Sequence, residues 1–177
     1  VKTYSPEYTS GYAYNTNYDL SILKWGLKTL ISMDNEKGRK DELHETWLVI
    51  LNNLIEYQKD DSGLMIAQDV PYGESHRHYS HLMMIYPFYD LNWDNIESRD
   101  LVLKSISHWQ SKSSALQGYS FTGLASMKAM MGDGDAARDA LKVLYKKYIK
   151  PNTLYAESGP VIETPLAAMA SIQELCL

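Results

Sequence analysis

The sequence predicts an all-α protein, an α/α toroid in which small, buried inner helices alternate with amphipathic outer helices. Apolar residues recur at helical spacing, with no convincing period-two alternation, and glycine and proline gather between the periodic segments. The predicted helix pairs repeat about every 40 residues. Since 177 residues with 45% hydrophobic content can bury one core, we expect a single domain over residues 1–177.

The first pair of predicted helices follows a polar N-terminal segment. The first helix starts after Asn15-Thr16-Asn17, a good capping sequence, and has an apolar face made of Leu20, Leu23, Leu27, Leu30 and Ile31. The second covers residues 42–58, and its apolar face is made of Leu43, Trp47, Ile50, Leu51, Leu54 and Ile55.

The next pair combines a short inner helix with a longer outer one. The inner helix is the apolar run 79–87, which Pro87 ends because proline disfavours a continuing helix. The outer helix covers 98–112, with Ser98 as its cap.

The last three predicted helices complete the alternation. Residues 119–131 are small and apolar on every face, which is typical of a helix packed on all sides. Residues 134–149 are amphipathic and end in lysines that suit the helix dipole. A small-residue helix follows over 165–177.

These helices number about seven, or about three and a half hairpins, whereas a closed six-hairpin ring needs about twelve helices. The chain is therefore an open arc or the C-terminal half of a larger barrel. We favour the half-barrel, because a chemically rich segment and no capping element precedes the first helix.

The connections that enter alternate helices are rich in tyrosine, histidine, glutamate and glycine. They are residues 4–17, 70–80, 115–120 and 152–165. Because consecutive helices run antiparallel, every second connection lies at the same end of the molecule. The sequence therefore predicts that these polar side chains share one rim.

The densest of these connections, together with the residue that follows it, contains three histidines and an arginine, His76, Arg77, His78 and His81. Such side chains are costly to bury without partners, so they favour a polar ligand site. A metal site is an alternative, because His-x-His-x-x-His supplies nitrogen ligands. A helix-capping network is another.

Composition excludes several classes of function. A net charge of −5 and a pI near 5.5 argue against nucleic-acid binding. No apolar stretch reaches the roughly 20 residues that cross a bilayer. Cys176 is the single cysteine, which excludes an internal disulfide framework. No signal peptide is recognisable, and the chain begins with Val1 rather than methionine, which leaves removal of a leader open.

Several motifs resemble the catalytic barrel of glycoside hydrolase family 95, the inverting α-L-fucosidases and α-L-galactosidases. They occur in the family's order over nearly the whole chain. The motifs are Ser5-Pro6-Glu7-Tyr8, Asn17-Tyr18-Asp19-Leu20, His76-Arg77-His78-Tyr79-Ser80-His81-Leu82, Gly118-Tyr119-Ser120 and Gly132-Asp133-Gly134-Asp135-Ala136. The histidine string is the most specific of them. The resemblance implies the later part of an (α/α)6 barrel that works without a cofactor.

The resemblance also implies roles for two carboxylates. Glu7 stands where the family's general acid follows Ser-Pro. Glu163, in Ile162-Glu163-Thr164-Pro165, stands where the family has its general base, an aspartate followed by Gly-Asn-Phe-Gly. Its carboxylate is one methylene further out, and the Gly-Asn-Phe-Gly tail is absent. Among the loop carboxylates, Glu157 is the alternative base.

Inverting hydrolysis needs one protonated and one charged carboxyl group roughly 6.5–9.5 Å apart. On this interpretation the sugar-binding residues are His76, Arg77, His78, Tyr119 and Asn17. The family's Asn-x-Asn pair that holds the attacking water lies outside this chain, since Asn15-Thr16-Asn17 follows Glu7 in sequence. The tyrosines around Glu7 would raise its pKa by desolvation and keep it protonated.

The predicted function is removal of terminal α-L-fucosyl or α-L-galactosyl residues from glycans. The partners would be an oligosaccharide or polysaccharide substrate and the remaining N-terminal part of the same barrel. The resemblance implies a secreted or periplasmic location. The alternatives are a carbohydrate-binding domain that has lost turnover and a helical-repeat interaction domain with a concave peptide-binding face.

Overall fold

The computed structural model describes residues 2–4, 11–38, 40–157 and 161–177, with the backbone alone for Tyr4. The chain divides into two compact units. One contains Val1–Tyr72 and Ser80–Asp90, and the other contains Gly73–Tyr79 and Leu91–Leu177.

The first unit is built on one helix pair with short strands at its margins. Strands β1 (Lys2–Tyr4) and β2 (Tyr12–Tyr14) are antiparallel, followed by helices α1 (Asn17–Glu36) and α2 (His44–Asn53). A second antiparallel pair, β3 (Lys59–Asp60) and β4 (Gly63–Leu64), comes next, and a 3-10 turn covers Ser80–Leu82.

Helix α1 starts where the sequence predicts, because Thr16 caps it and Asn17 ties it to the chain. The Thr16 hydroxyl accepts the Asp19 N–H at 3.2 Å. The fully buried Asn17 amide donates to the carbonyl oxygens of Gln58 and Met65 and accepts the Gln58 N–H, each at 2.8 Å. The start of α1 is thereby bonded to the backbone around β3 and β4.

The second unit contains the other helices: a 3-10 turn at Ile96–Ser98, α3 (Arg99–Ser111), α4 (Gly118–Met130), α5 (Gly134–Tyr148) and α6 (Glu163–Cys176). Helix α4 packs against both α5 and α6. All residues from Thr122 to Met127 are buried, as predicted for a helix packed on all sides. In contrast, α5 buries one stripe made of Ala137, Ala140, Leu141 and Leu144.

The all-α prediction is confirmed, with six α-helices in the described residues rather than about seven. The expected inner helix over 79–87 is wrong. Residues Ser80–Leu82 form a 3-10 turn and hydrogen-bonded turns follow, although Leu82, Met84 and Ile85 are fully buried. Short apolar runs do not distinguish a buried helix from other buried segments.

One helix boundary and the strands also differ from the prediction. The second helix ends at Asn53 rather than 58, with Leu54 in an extended conformation. The chain also forms two short hairpins where the sequence shows no alternation, since two- and three-residue strands are too short to leave a periodic signal. Within the described ranges, no helix is both long and apolar enough to cross a membrane.

Candidate functional site

The second unit brings together most of the predicted site residues around Arg77, which lies just before Tyr79. The Ser120 hydroxyl donates to the Arg77 carbonyl oxygen at 2.6 Å and accepts the Gln117 N–H at 3.1 Å. Ser120 belongs to the capping box of α4. The backbone of Arg77 is thus fixed to the first turn of that helix.

The Arg77 guanidinium is shared by two glutamates from the connection before α6 and from its first turn. Nη1 lies 3.3 Å and 3.4 Å from the two carboxylate oxygens of Glu157, and Nη2 lies 3.0 Å from Oε1 of Glu163. The side chain of Glu157 is 2% exposed, whereas that of Glu163 is 40% exposed. One carboxylate is therefore an internal anchor and the other is accessible from solvent.

The electrostatics of this cluster favour the charged forms of Arg77 and Glu163. Burial opposes the charge of Arg77, but Glu163 and Glu157 outweigh that effect and raise the pKa of the guanidinium. A hydrogen bond from its own backbone N–H lowers the pKa of Glu163, and Arg77 adds to this lowering against the effect of burial. Glu163 is consequently ionised at neutral pH.

Two neutral histidines lie beside the guanidinium. The Nδ1 atom of His76 accepts the backbone N–H of His78 at 3.1 Å, and the two rings meet edge to face at 5.1 Å. Burial, followed by the nearby Arg77 charge, lowers the pKa of both histidines. Neutral imidazoles can both donate and accept hydrogen bonds, which suits a ligand rich in hydroxyl groups.

An aromatic group continues the site from His78. The edge of the His78 ring meets Tyr119 at 5.3 Å, and Tyr119 stacks on the buried Tyr79 at 5.3 Å. Tyr79 in turn contacts Trp109 at 5.5 Å. A partly exposed ring backed by buried rings can present an apolar surface with a hydroxyl to a sugar.

The pattern of residues that forms this cluster is that of a known family. The sequence model of the Glycosyl hydrolase family 95 catalytic domain matches residues 1–176 of the chain. The chain belongs to this family. No curated protein sequence matches the chain.

The structure of this family 95 domain gathers five of the predicted site residues in one unit, namely His76, Arg77, His78, Tyr119 and Glu163. Glu7 lies outside the described residues, between β1 and β2 in sequence. Asn17 belongs to the other unit, where its amide is buried and occupied by three backbone hydrogen bonds. Its role in sugar binding stays a prediction that these contacts do not support.

The histidine string of the family 95 domain is divided between the two units. His81 belongs to the first unit, where it is 2% exposed and stacks on Tyr72 at 4.1 Å. Among the residues that the structure describes, no three His, Cys, Asp or Glu side chains are arranged to hold a metal ion. The capping alternative has one observation in its favour, the Ser120 bond to the Arg77 carbonyl.

Sequence reasoning missed Tyr155 altogether. Its hydroxyl donates to Oε2 of Glu157 at 2.7 Å. One sequence signal was available: Tyr155 stands two residues before the candidate carboxylate Glu157, in a connection that enters an inner helix. Gly118, which begins α4 and makes room for the Tyr155 ring, carries no local signal of this contact.

Proposed function

We propose that this domain hydrolyses terminal α-L-fucosyl or α-L-galactosyl residues of glycans with inversion at the anomeric carbon. Glu7 acts as the general acid and Glu163 as the general base that takes a proton from the attacking water. The observation that carries the proposal is the shared guanidinium of Arg77, which holds one accessible carboxylate beside neutral histidines and a tyrosine.

Exposure favours Glu163 over Glu157 as the base. A general base must reach a water molecule, and the Glu157 side chain is only 2% exposed, with its oxygens facing Arg77 and Tyr155. The Glu163 side chain is 40% exposed, so solvent water can reach its carboxylate. Its lowered pKa means that the base is charged throughout the neutral and mildly acidic range.

The sugar-binding groups in this proposal are His76, Arg77, His78 and Tyr119. The two imidazoles are neutral at neutral pH and bond to sugar hydroxyls, while Tyr119 packs against the apolar face of the ring. The positive charge of Arg77 helps to keep Glu163 ionised, and so able to accept a proton, before the water attacks. In this proposal Glu7 and Glu163 carry out the acid–base chemistry.

We also propose that the helices are the later part of an (α/α)6 barrel. Apolar side chains remain exposed on α1 and α2, among them Trp25 at 48% and Val49 at 60%. On α6, Leu166 is 63% exposed and Met169 is 60% exposed. Several large apolar side chains exposed on one helix pair or one helix support further helices packing there. A secreted or periplasmic location belongs to the same proposal.

Kinetics of carboxamide variants test the assignment. In the full-length protein, Glu163→Gln and Glu7→Gln should each lower kcat on a nitrophenyl α-L-fucoside or α-L-galactoside by roughly 10²–10⁴-fold. The affinity for the free sugar should persist. Glu97→Gln changes an exposed glutamate of the 3-10 turn and serves as the matched control.

The released anomer tests inversion, because NMR of the early product should show the β-anomer from an α-linked substrate. A wild-type protein that binds sugar but never turns it over would instead identify a binding domain. Undiminished turnover in Glu163→Gln would remove that residue from the mechanism.

A further inference from the structure

We propose that Tyr155 is a positioning residue for the candidate base: its hydroxyl holds the buried carboxylate of Glu157, which shares the Arg77 guanidinium with Glu163. The inference rests on the proposed function, in which Glu163 takes the proton from water. Tyr155 touches neither water nor sugar in this scheme, and it acts through Glu157 and Arg77.

The distances show which contact anchors the buried carboxylate. The Tyr155 hydroxyl lies 2.7 Å from Oε2 of Glu157, while the Arg77 nitrogen lies 3.3 Å from the same oxygen. The shorter bond belongs to a ring that turns about two torsions, and the longer one belongs to a flexible side chain. A carboxylate that is 2% exposed depends on such donors, because water does not replace them.

The start of α4 leaves space for the Tyr155 ring. A β-carbon built on Gly118, the first residue of α4, would lie 2.4 Å from the Tyr155 hydroxyl oxygen. Only glycine therefore lets the ring lie against the helix start. The ring also stacks on Tyr148, with ring centroids 6.3 Å apart, and the Ala156 N–H donates to the Tyr148 carbonyl at 3.0 Å.

Other charged or titratable groups face this set. Arg77 and His78 act on Glu163, His76 lies near Arg77, and Tyr148 and Glu157 act on Tyr155. Because both histidines are neutral at neutral pH, the strong charges are the Arg77 cation and the two carboxylates.

A shared guanidinium makes the two carboxylates compete for one cation. Without the Tyr155 hydroxyl, buried Glu157 draws Arg77 towards itself and away from Glu163, so the pKa of Glu163 rises. Without the Glu157 charge, Arg77 pairs with Glu163 alone, so the pKa of Glu163 falls. The two changes act on the same pair of residues and have opposite signs.

Carbon-13 NMR titration of the Glu163 carboxyl in the full-length protein tests this without requiring turnover. The signal is assigned by its loss in Glu163→Gln. Tyr155→Phe should raise the pKa of Glu163, and Glu157→Gln should lower it. Tyr148→Phe removes a hydroxyl from the stacked neighbour, which bonds to the Leu116 carbonyl instead, and should leave that pKa unchanged.

Gly118→Ala is a second route to the same state, since it displaces the Tyr155 hydroxyl by steric contact and should reproduce the Tyr155→Phe shift. If one of the two variants does not fold, the other still tests the inference. Shifts of the same sign in Tyr155→Phe and Glu157→Gln, or no shift in either, would overturn the inference.

Turnover separates this inference from the proposed function. The pKa of the acidic limb of the kcat/KM profile should rise in Tyr155→Phe and fall in Glu157→Gln. If Glu163→Gln abolishes turnover while neither variant moves that limb, the function stands and the positioning role fails. If Glu163→Gln is fully active, the function fails and the NMR shifts still decide whether Tyr155 sets the charge environment of Glu163.

Discussion

The ring of Tyr79 lies directly against the backbone of Gly123 in the middle of α4. A β-carbon at that glycine would lie 2.2 Å from Cε1 of Tyr79. Tyr79 is 5% exposed and has Tyr119 on one face and Trp109 at its edge, so the ring has little room to retreat. This close approach places Tyr79 behind the partly exposed Tyr119.

Gly123→Ala should therefore destabilise the protein by about 1–3 kcal/mol, because an added methyl group overpacks a filled site. Gly26→Ala is the matched control, since Gly26 is also within a helix but has nothing within 4 Å of the added carbon. That control should gain up to about 1 kcal/mol from helix propensity. Denaturant unfolding of both variants measures the difference, and equal effects would contradict the packing account.

Arg77→Lys should lower kcat/KM by roughly tenfold to 100-fold. An ammonium group is a single point charge, so it cannot place separate N–H groups on Glu157 and Glu163 as the guanidinium does. Steady-state kinetics on a nitrophenyl α-L-glycoside check this. Arg138→Lys, at an exposed position on α5, is the control and should match the wild type. Full activity in Arg77→Lys would show that the shared geometry is dispensable.

Asn17→Ala should lower the free energy of unfolding by about 2 kcal/mol and leave the affinity for free sugar unchanged. The change leaves the Gln58 and Met65 backbone groups without their side-chain partner. Asn52→Ala, at an exposed helical position, should change stability by no more than about 0.5 kcal/mol. Lost sugar affinity with unchanged stability would restore Asn17 as a ligand-binding residue.

Acidification should weaken the fold through His76 and His78. Their folded-state pKa values are lowered, so the unfolded chain takes up protons first as the pH falls through the ordinary histidine range near 6.5. Stability from these groups is thus complete above that range and is lost below it. Urea unfolding at about pH 7.5 and about pH 5.5 should show a smaller difference in a His76→Asn, His78→Asn double variant than in the wild type. An identical pH dependence would exclude both histidines as its source.

Helices with strong boundary signals were predicted to within two residues. The outer helix predicted over 98–112 is observed at Arg99–Ser111, and the one predicted over 134–149 is observed at Gly134–Tyr148. Asp133 caps the latter helix by accepting the Ala136 N–H at 3.1 Å. Amphipathic periodicity is a local property that the sequence carries, whereas Ser98 occupies the cap position of the former helix without a capping hydrogen bond from its side chain.

Where the local signal was only a short apolar run, the prediction failed. The segment 79–87 is largely buried, yet it forms a 3-10 turn at Ser80–Leu82 followed by hydrogen-bonded turns, because burial requires apolar side chains and leaves the backbone conformation open. The apolar face predicted for α1 is likewise only partly covered, with Leu20 buried and Leu30 at 44% exposure. The amphipathic pattern identifies the side chains that need an apolar partner, but it does not identify that partner.

The sequence by itself determined the helical class, the family and the residue types of the site, since periodicity, caps and the His-Arg-His string are all local in the chain. Only the tertiary structure decided that Arg77 pairs with Glu157 and Glu163, 80 and 86 residues further along, and that Glu157 is buried while Glu163 is accessible. The sequence cannot say which of Glu157 and Glu163 is more exposed, because their exposure depends on the side chains that pack beside them in the folded chain. Beside Glu157 that side chain is the ring of Tyr155, and the absence of a side chain at Gly118 gives it room.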